Sequence, residues 1–171
     1  MIRICCNEPG FEYDIRGLLT SFYPGEEIEK AMLPIVTLSE RPALNGEEEK
    51  IVCACFQGSR LSVALDAQGF SKENEVEVDP EDRKQTKIIL KKELYALFSA
   101  HTGHGLPWGT LTGIRPTKIA MGLLENGASP EEVAEYMRSQ YLTSEKKIAE
   151  SIGIAEREKQ ILSRIDYQNG Y

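Results

Sequence analysis

Long apolar runs are missing from these 171 residues. So are a second tryptophan, more than two histidines and any excess of positive charge. No stretch approaches the roughly 20 apolar residues that a membrane span requires, and the amino-terminal MIRICC passes at once into polar residues, unlike a signal peptide. A soluble, cytoplasmic chain with no membrane partner is expected. Twenty Lys and Arg against 27 Asp and Glu leave a net charge of -7, which excludes a surface built throughout to neutralise phosphates. Cysteine is scarce as well. Cys5, Cys6, Cys53 and Cys55 sit in strand-like apolar stretches, without Cys-x-x-Cys and without the wide spacings of a secreted disulfide framework. They read as buried thiols. Cys53 and Cys55 would share one face of a strand, but no third metal ligand stands beside them in sequence. A Walker A loop, a dinucleotide fingerprint, an internal repeat and a low-complexity tract are all lacking.

What remains is ordinary globular composition, 41% apolar and 27% charged, on a chain long enough for one domain or two small subdomains. Ile2, Ile4 and Cys6 alternate with Arg3 and Cys5 as a short strand, broken at Glu8-Pro9-Gly10. Phe11, Ile15, Leu18, Leu19 and Phe22 recur at three- and four-residue steps and predict a helix that Pro24-Gly25 closes. Residues 26–49 carry two prolines and three consecutive glutamates and read as connection, with a short strand around Ile35 to Leu38. IVCACF, the turn QGS and the alternating RLSVAL make a hairpin, and EVEVD, with Val76 and Val78, adds a further strand.

At residue 83 the period becomes helical. Leu90, Leu94, Leu97 and Phe98 face inward to about Ala100, with Lys84, Lys87 and Lys91 on another side. A short helix over KIAMGLLE stops at Asn126-Gly127. Ser129-Pro130-Glu131-Glu132 opens the next with an N-cap serine and a first-turn proline. A last helix runs from about Glu145 towards Ile165, with Ile148, Ile152, Ala155 and Leu162 on one face. The expected class is α+β: a small, mainly antiparallel sheet with one early helix over residues 1–82, then an all-helical half over 83–171.

Between two helices lies WGTLTGIRPTK, Trp108 to Lys118, which holds the one indole. Gly109 and Gly113 permit unusual backbone, and Pro116 suits the first turn of a helix, so the loop feeds a helix amino terminus. Free amides there, beside Arg115 and Lys118, suit a carboxylate or phosphate, and the same residues also suit a structural turn beside a solvated face. From Glu81 to Lys118 seven basic residues meet three acids, a local +4 against -11 for the rest. Trp108 reads as an anchor between helices. His101 and His104, just past the long helix, suit capping or turn packing.

HTGHGLPWGTLTGIRPTKIAMGLLENGASPEEVAEYM, followed by YLTSEKKIAESIGIAEREKQIL and IDYQNGY, resembles the amino-terminal region of a branch of oxygen-independent coproporphyrinogen III oxidases. These are radical S-adenosylmethionine enzymes of haem biosynthesis. The resemblance covers most of the chain and is most specific over Trp108 to Lys118. It implies that a radical SAM barrel follows, whose Cys-x-x-x-Cys-x-x-Cys loop holds a [4Fe-4S] cluster. That pattern is absent here. The expectation is an isolated amino-terminal domain with no catalytic residue and no cofactor of its own, the cluster and S-adenosylmethionine belonging to the parent protein. Its expected partners are the C-terminal barrel of the same chain and coproporphyrinogen III.

The parent reaction would convert two propionates to vinyl groups, giving protoporphyrinogen IX. Four propionates on the substrate make Arg115 and Lys118 the first candidate contacts and Lys87 and Lys91 the second, with Trp108 as support. Docking on the barrel would leave an apolar, incompletely covered surface on the last helices. Two alternatives stand beside this. An RNA-binding appendage would use the stripe of Lys84, Lys87 and Lys91, but acidity and the lack of a stacking motif speak against nucleic acid. A purely structural or dimerising domain would need no ligand.

Overall fold

The computed structural model describes residues 1–30, 35–113 and 115–164. The chain divides into two compact units, Met1–Gly105 and Leu106–Tyr171.

In the first unit, strands β1 (Ile2–Cys6), β2 (Ile28–Lys30), β3 (Lys50–Gln57), β4 (Arg60–Ala67) and β5 (Phe70–Glu77) form one sheet in the order β2-β1-β3-β4-β5. β3 with β4, and β4 with β5, each pair eight residues antiparallel. β1 pairs parallel, five residues with β3 and three with β2. The sheet is thus mixed, and antiparallel along most of its paired length. Parallel neighbours need a crossover, which α1 (Glu12–Phe22) supplies between β1 and β2.

Burial on both faces explains why the IVCACF run does not alternate. Cys5, Ile51, Cys53, Cys55 and Ala64 pack with Ile35 on one face, where Leu38 and Leu44 add cover. The alternate set, including Ile4, Val52, Val63 and Leu65, is also buried. Helix α2 (Arg83–Thr102) packs on α1, β4 and β5. Ile15, Leu18, Leu19 and Phe22 of α1 and Leu90, Leu94, Leu97 and Phe98 of α2 are buried, as the helical period requires. Burying one such side chain stabilises by about 1.5–3 kcal/mol. The Asp82 carboxylate caps α2 by accepting the Gln85 N–H at 2.9 Å, and Gly103, in the left-handed region, closes it.

Four sequence expectations meet different structure here. The boundary placed at residue 83 marks a change of period, but α2 belongs to the first unit because its apolar face packs on the sheet. Around Ile35 to Leu38 no strand forms among the described residues; Ile35 plugs the sheet face and Leu38–Glu40 makes a single 3-10 turn. The short, mostly charged Ile28–Lys30, read as connection, is a strand, held as an edge by β1. β5 begins at Phe70, ahead of the EVEVD stretch, because the Gln68-Gly69 turn folds it back on β4 in full register.

The second unit holds α3 (Pro116–Glu125), α4 (Pro130–Tyr141) and α5 (Glu145–Arg164). Their common core is Ala120, Leu124, Val133, Met137, Ile148 and Ala155. Ser129 and Glu132 form a complete capping box at the start of α4. Ile148, Ile152 and Ala155 join the core as their spacing predicts. Leu162 does not: it is exposed, as are Ile154 and Ile161. Ile165 and the IDYQNGY tail lie outside the described residues.

Candidate functional site

Trp108 to Thr110 run as a tight turn that is hydrogen-bonded to the α4–α5 junction. The Thr110 N–H donates to the Tyr141 carbonyl at 2.7 Å, and its hydroxyl reaches the same oxygen at 3.3 Å. The Ser144 N–H donates to the Pro107 carbonyl at 3.0 Å. Gly109 is buried with φ of +58°, and a β-carbon there would run into the Tyr141 carbonyl and the Leu142 backbone. Leu142 itself adopts φ of +56°, ending α4 as a glycine usually would. The half-buried Trp108 ring carries the Lys147 ammonium of α5 at 5.1 Å from its centroid. Trp108 is therefore an anchor against α5, and the WGT turn is a clasp on two helices.

Beyond the clasp the chain turns outward. Gly113 has φ of +71°, Ile114 lies outside the described residues, and Arg115 becomes the N-cap residue of α3, with Pro116 at its first position. Arg115 and Lys118 are both exposed, and neither side chain has a hydrogen-bond or ion-pair partner among the described residues. The Lys118 N–H donates to the Arg115 carbonyl at 3.1 Å, so both cations belong to the first turn of α3. No acid occupies the first turn of α3. Two positive groups at the positive end of a helix dipole are unfavourable by a few tenths of a kcal/mol or more each, and an anion relieves that.

Lys87 and Lys91 lie in the first unit, and the structure gives them internal tasks. Lys87 pairs with Asp14 of α1 at 3.2 Å. Lys91 is only 8% exposed, and burial pushes its ammonium pKa down. Of the expected basic stripe Lys84, Lys87 and Lys91, one member is buried and a second is paired, which leaves little to meet a phosphate backbone.

The two histidines serve packing. His101, in the last turn of α2, shares a 2.9 Å hydrogen bond with the Tyr23 hydroxyl, and burial lowers its pKa. His104 stacks on Phe22. All four cysteines are buried. Burial pushes the Cys6 and Cys55 thiols up to about 11, and the hydrogen bond with Cys5, with burial, raises Cys53, so these three stay protonated near neutrality. Among the described residues no three His, Cys, Asp or Glu gather as metal ligands, and no helix is long and apolar enough to cross a membrane.

Two features lie beyond what local sequence pattern reveals. One is the Gly109–Tyr141 contact, whose partners stand 32 positions apart. The other is a cavity at the carboxyl ends of β1 and β3, where Arg83 lies over Phe11. Only the left-handed tolerance of Gly109 hinted at the first.

No family model matches the chain. A solved structure, protein VC0702 from Vibrio cholerae, aligns with 58% of this chain and 74% of that one at 12% identity; its TM-score of 0.29 is too low to carry an argument. Over 65 residues the chain is 40% identical to the oxygen-independent coproporphyrinogen-III oxidase-like protein HemZ of Bacillus subtilis (strain 168). That stretch is 38% of this chain and only 13% of the relative's length. The resemblance read from the sequence thus has a counterpart in sequence identity, over 65 residues, to a relative named as oxygen-independent coproporphyrinogen-III oxidase-like.

Proposed function

We propose that this chain is an accessory domain of a radical SAM enzyme of haem biosynthesis that oxidatively decarboxylates coproporphyrinogen III to protoporphyrinogen IX. In this reading it holds substrate propionates with Arg115 and Lys118 and docks through α5 on the catalytic barrel. The observation that carries it is the 40% identity to the coproporphyrinogen-III oxidase-like relative. Two structural features support it. Arg115 and Lys118 are exposed, both at the start of α3, and without partners among the described residues, as a propionate site requires. Ile154 and Ile161, two turns apart on α5, and Leu162 are 43%, 59% and 44% exposed, an apolar surface that a docking partner would cover.

The chain's own cysteines do not fit a [4Fe-4S] cluster. They are buried, and no three converge with other ligand types among the described residues. Radical generation from S-adenosylmethionine is accordingly assigned to the rest of the parent protein, and this domain contributes binding and shielding. Pairing of Lys87 and burial of Lys91 weigh against the RNA-binding alternative.

Trp108, the sole indole, gives an intrinsic signal for the test. Titration with coproporphyrin III, a stable stand-in for the porphyrinogen, should quench it saturably at low-micromolar concentration. An Arg115→Ala/Lys118→Ala variant with an unchanged folded spectrum should lose that response. Absence of saturable binding by the wild type would remove the substrate-holding role and leave only docking.

A further inference from the structure

The cavity at the carboxyl ends of β1 and β3 has a volume of about 260 Å³ and is walled by Glu8, Phe11, Phe56, Val78, Arg83 and Thr86 with two neighbours. β1 sits between β2, which the chain reaches through α1, and β3 on its other edge. In open sheets the ends of such parallel strands are where ligands enter.

The residues here are arranged in detail. Phe11 and Phe56 stack with centroids 4.9 Å apart and planes 17° from parallel, giving a flat apolar wall. Asn7 holds Phe56 in place: its amide donates to the Phe56 carbonyl at 2.9 Å and its carbonyl accepts the Phe56 N–H at 2.8 Å. The Arg83 guanidinium lies 4.7 Å over the Phe11 ring, and Gly10 makes room for it, since a β-carbon there would collide with the guanidinium. Yet Arg83 makes no hydrogen bond and no ion pair with any described residue, so its fork of five donors is unspent. Glu8 lines the same cavity, and its carboxylate forms no ion pair among the described residues. Two opposite charges thus flank one aromatic wall without meeting each other.

We propose that this cavity binds a small zwitterion with an apolar body, an α-amino acid with an aromatic or branched side chain. The carboxylate would lie on Arg83, the ammonium on Glu8 and the side chain against Phe11, Phe56 and Val78. A planar guanidinium held over a ring is well suited to a carboxylate. The inference does not rest on the tetrapyrrole reading, because every residue it uses lies in the first unit.

The test is a two-dimensional NMR titration of the chain with L-phenylalanine up to about 10 mM, within the affinity range open to so small a ligand. Saturable shifts confined to residues 7–11, 56–58 and 78–86 are expected. Arg83→Gln should weaken binding about tenfold, the scale of a charged hydrogen bond. Gly10→Ala should weaken it as well while keeping every charge, because it only displaces a flexible guanidinium. Glu8→Gln should weaken L-phenylalanine but not 3-phenylpropionate, which lacks the ammonium. No saturable shift in these segments, or equal affinity in Arg83→Gln, would overturn the site. Equal affinity of wild type for the two probes would overturn the zwitterion assignment.

Discussion

The carbonyl oxygen of Tyr141 accepts the N–H of Thr110 at 2.7 Å and occupies the space that a side chain on Gly109 would need. One peptide group of α4 therefore both grips the WGT turn and dictates which residue can precede Thr110. Gly109→Ala must pay for a left-handed backbone and also push the Tyr141 peptide away. A loss of more than about 2 kcal/mol in denaturant unfolding is expected. Gly122→Ala, inside α3 with open space around its β-carbon, should instead stabilise by about 0.5–1 kcal/mol. Equal effects from the two substitutions would refute the clasp.

The capping box at the start of α4 offers a second stability test. The Ser129 hydroxyl accepts the Glu132 N–H at 3.2 Å, and the Glu132 carboxylate accepts the Ser129 N–H at 2.8 Å. Ser129→Ala should cost about 1 kcal/mol, read from the shift in unfolding midpoint.

Acid sensitivity should track Glu49. This carboxylate is 5% exposed, accepts the Asn45 N–H and is in contact with the Arg3 guanidinium, and these interactions lower its pKa. A depressed folded pKa contributes stability that is present above the unfolded value, near 4.3, and is lost as pH falls through the folded value. Wild type should therefore lose stability relative to Glu49→Gln below about pH 4.3. Parallel pH profiles for the two proteins would contradict that.

His101 should titrate below its ordinary range. Burial and the nearby Lys50 charge disfavour the imidazolium. The folded state then binds fewer protons than the unfolded chain, so this residue's share of stability is complete above about pH 6.5 and declines on acidification. Its ring resonances, followed by NMR, should give a midpoint below that of His in an unfolded peptide.

Long, strongly periodic elements were legible in the sequence. The apolar steps of α1 and α2, the β3–β4 hairpin around QGS and the Ser129 cap all appear where local pattern places them. β2 was not, because its three residues, with Ile28 alone apolar, are too few to show a period and become a strand through parallel pairing with β1. Ile35 shows the converse: an apolar residue with strand character that serves as a plug for the sheet. Leu162 lies on the expected apolar stripe of α5 but outside the core that α3, α4 and α5 share, and it stays exposed. In the candidate site, a first-turn proline foretold that Arg115 and Lys118 stand at a helix start, whereas the pairing of Lys87 with Asp14 depends on residues 73 positions apart. Local pattern cannot report such partners.

The central claim is that Arg115 and Lys118 hold the anionic groups of a tetrapyrrole. The most direct test compares coproporphyrin III titrations of wild type, Arg115→Ala/Lys118→Ala and Lys87→Ala. Saturable low-micromolar binding that the double variant loses by about a hundredfold, two charged contacts of about tenfold each, and that Lys87→Ala keeps, is the predicted result. Undiminished binding by the double variant would contradict the account.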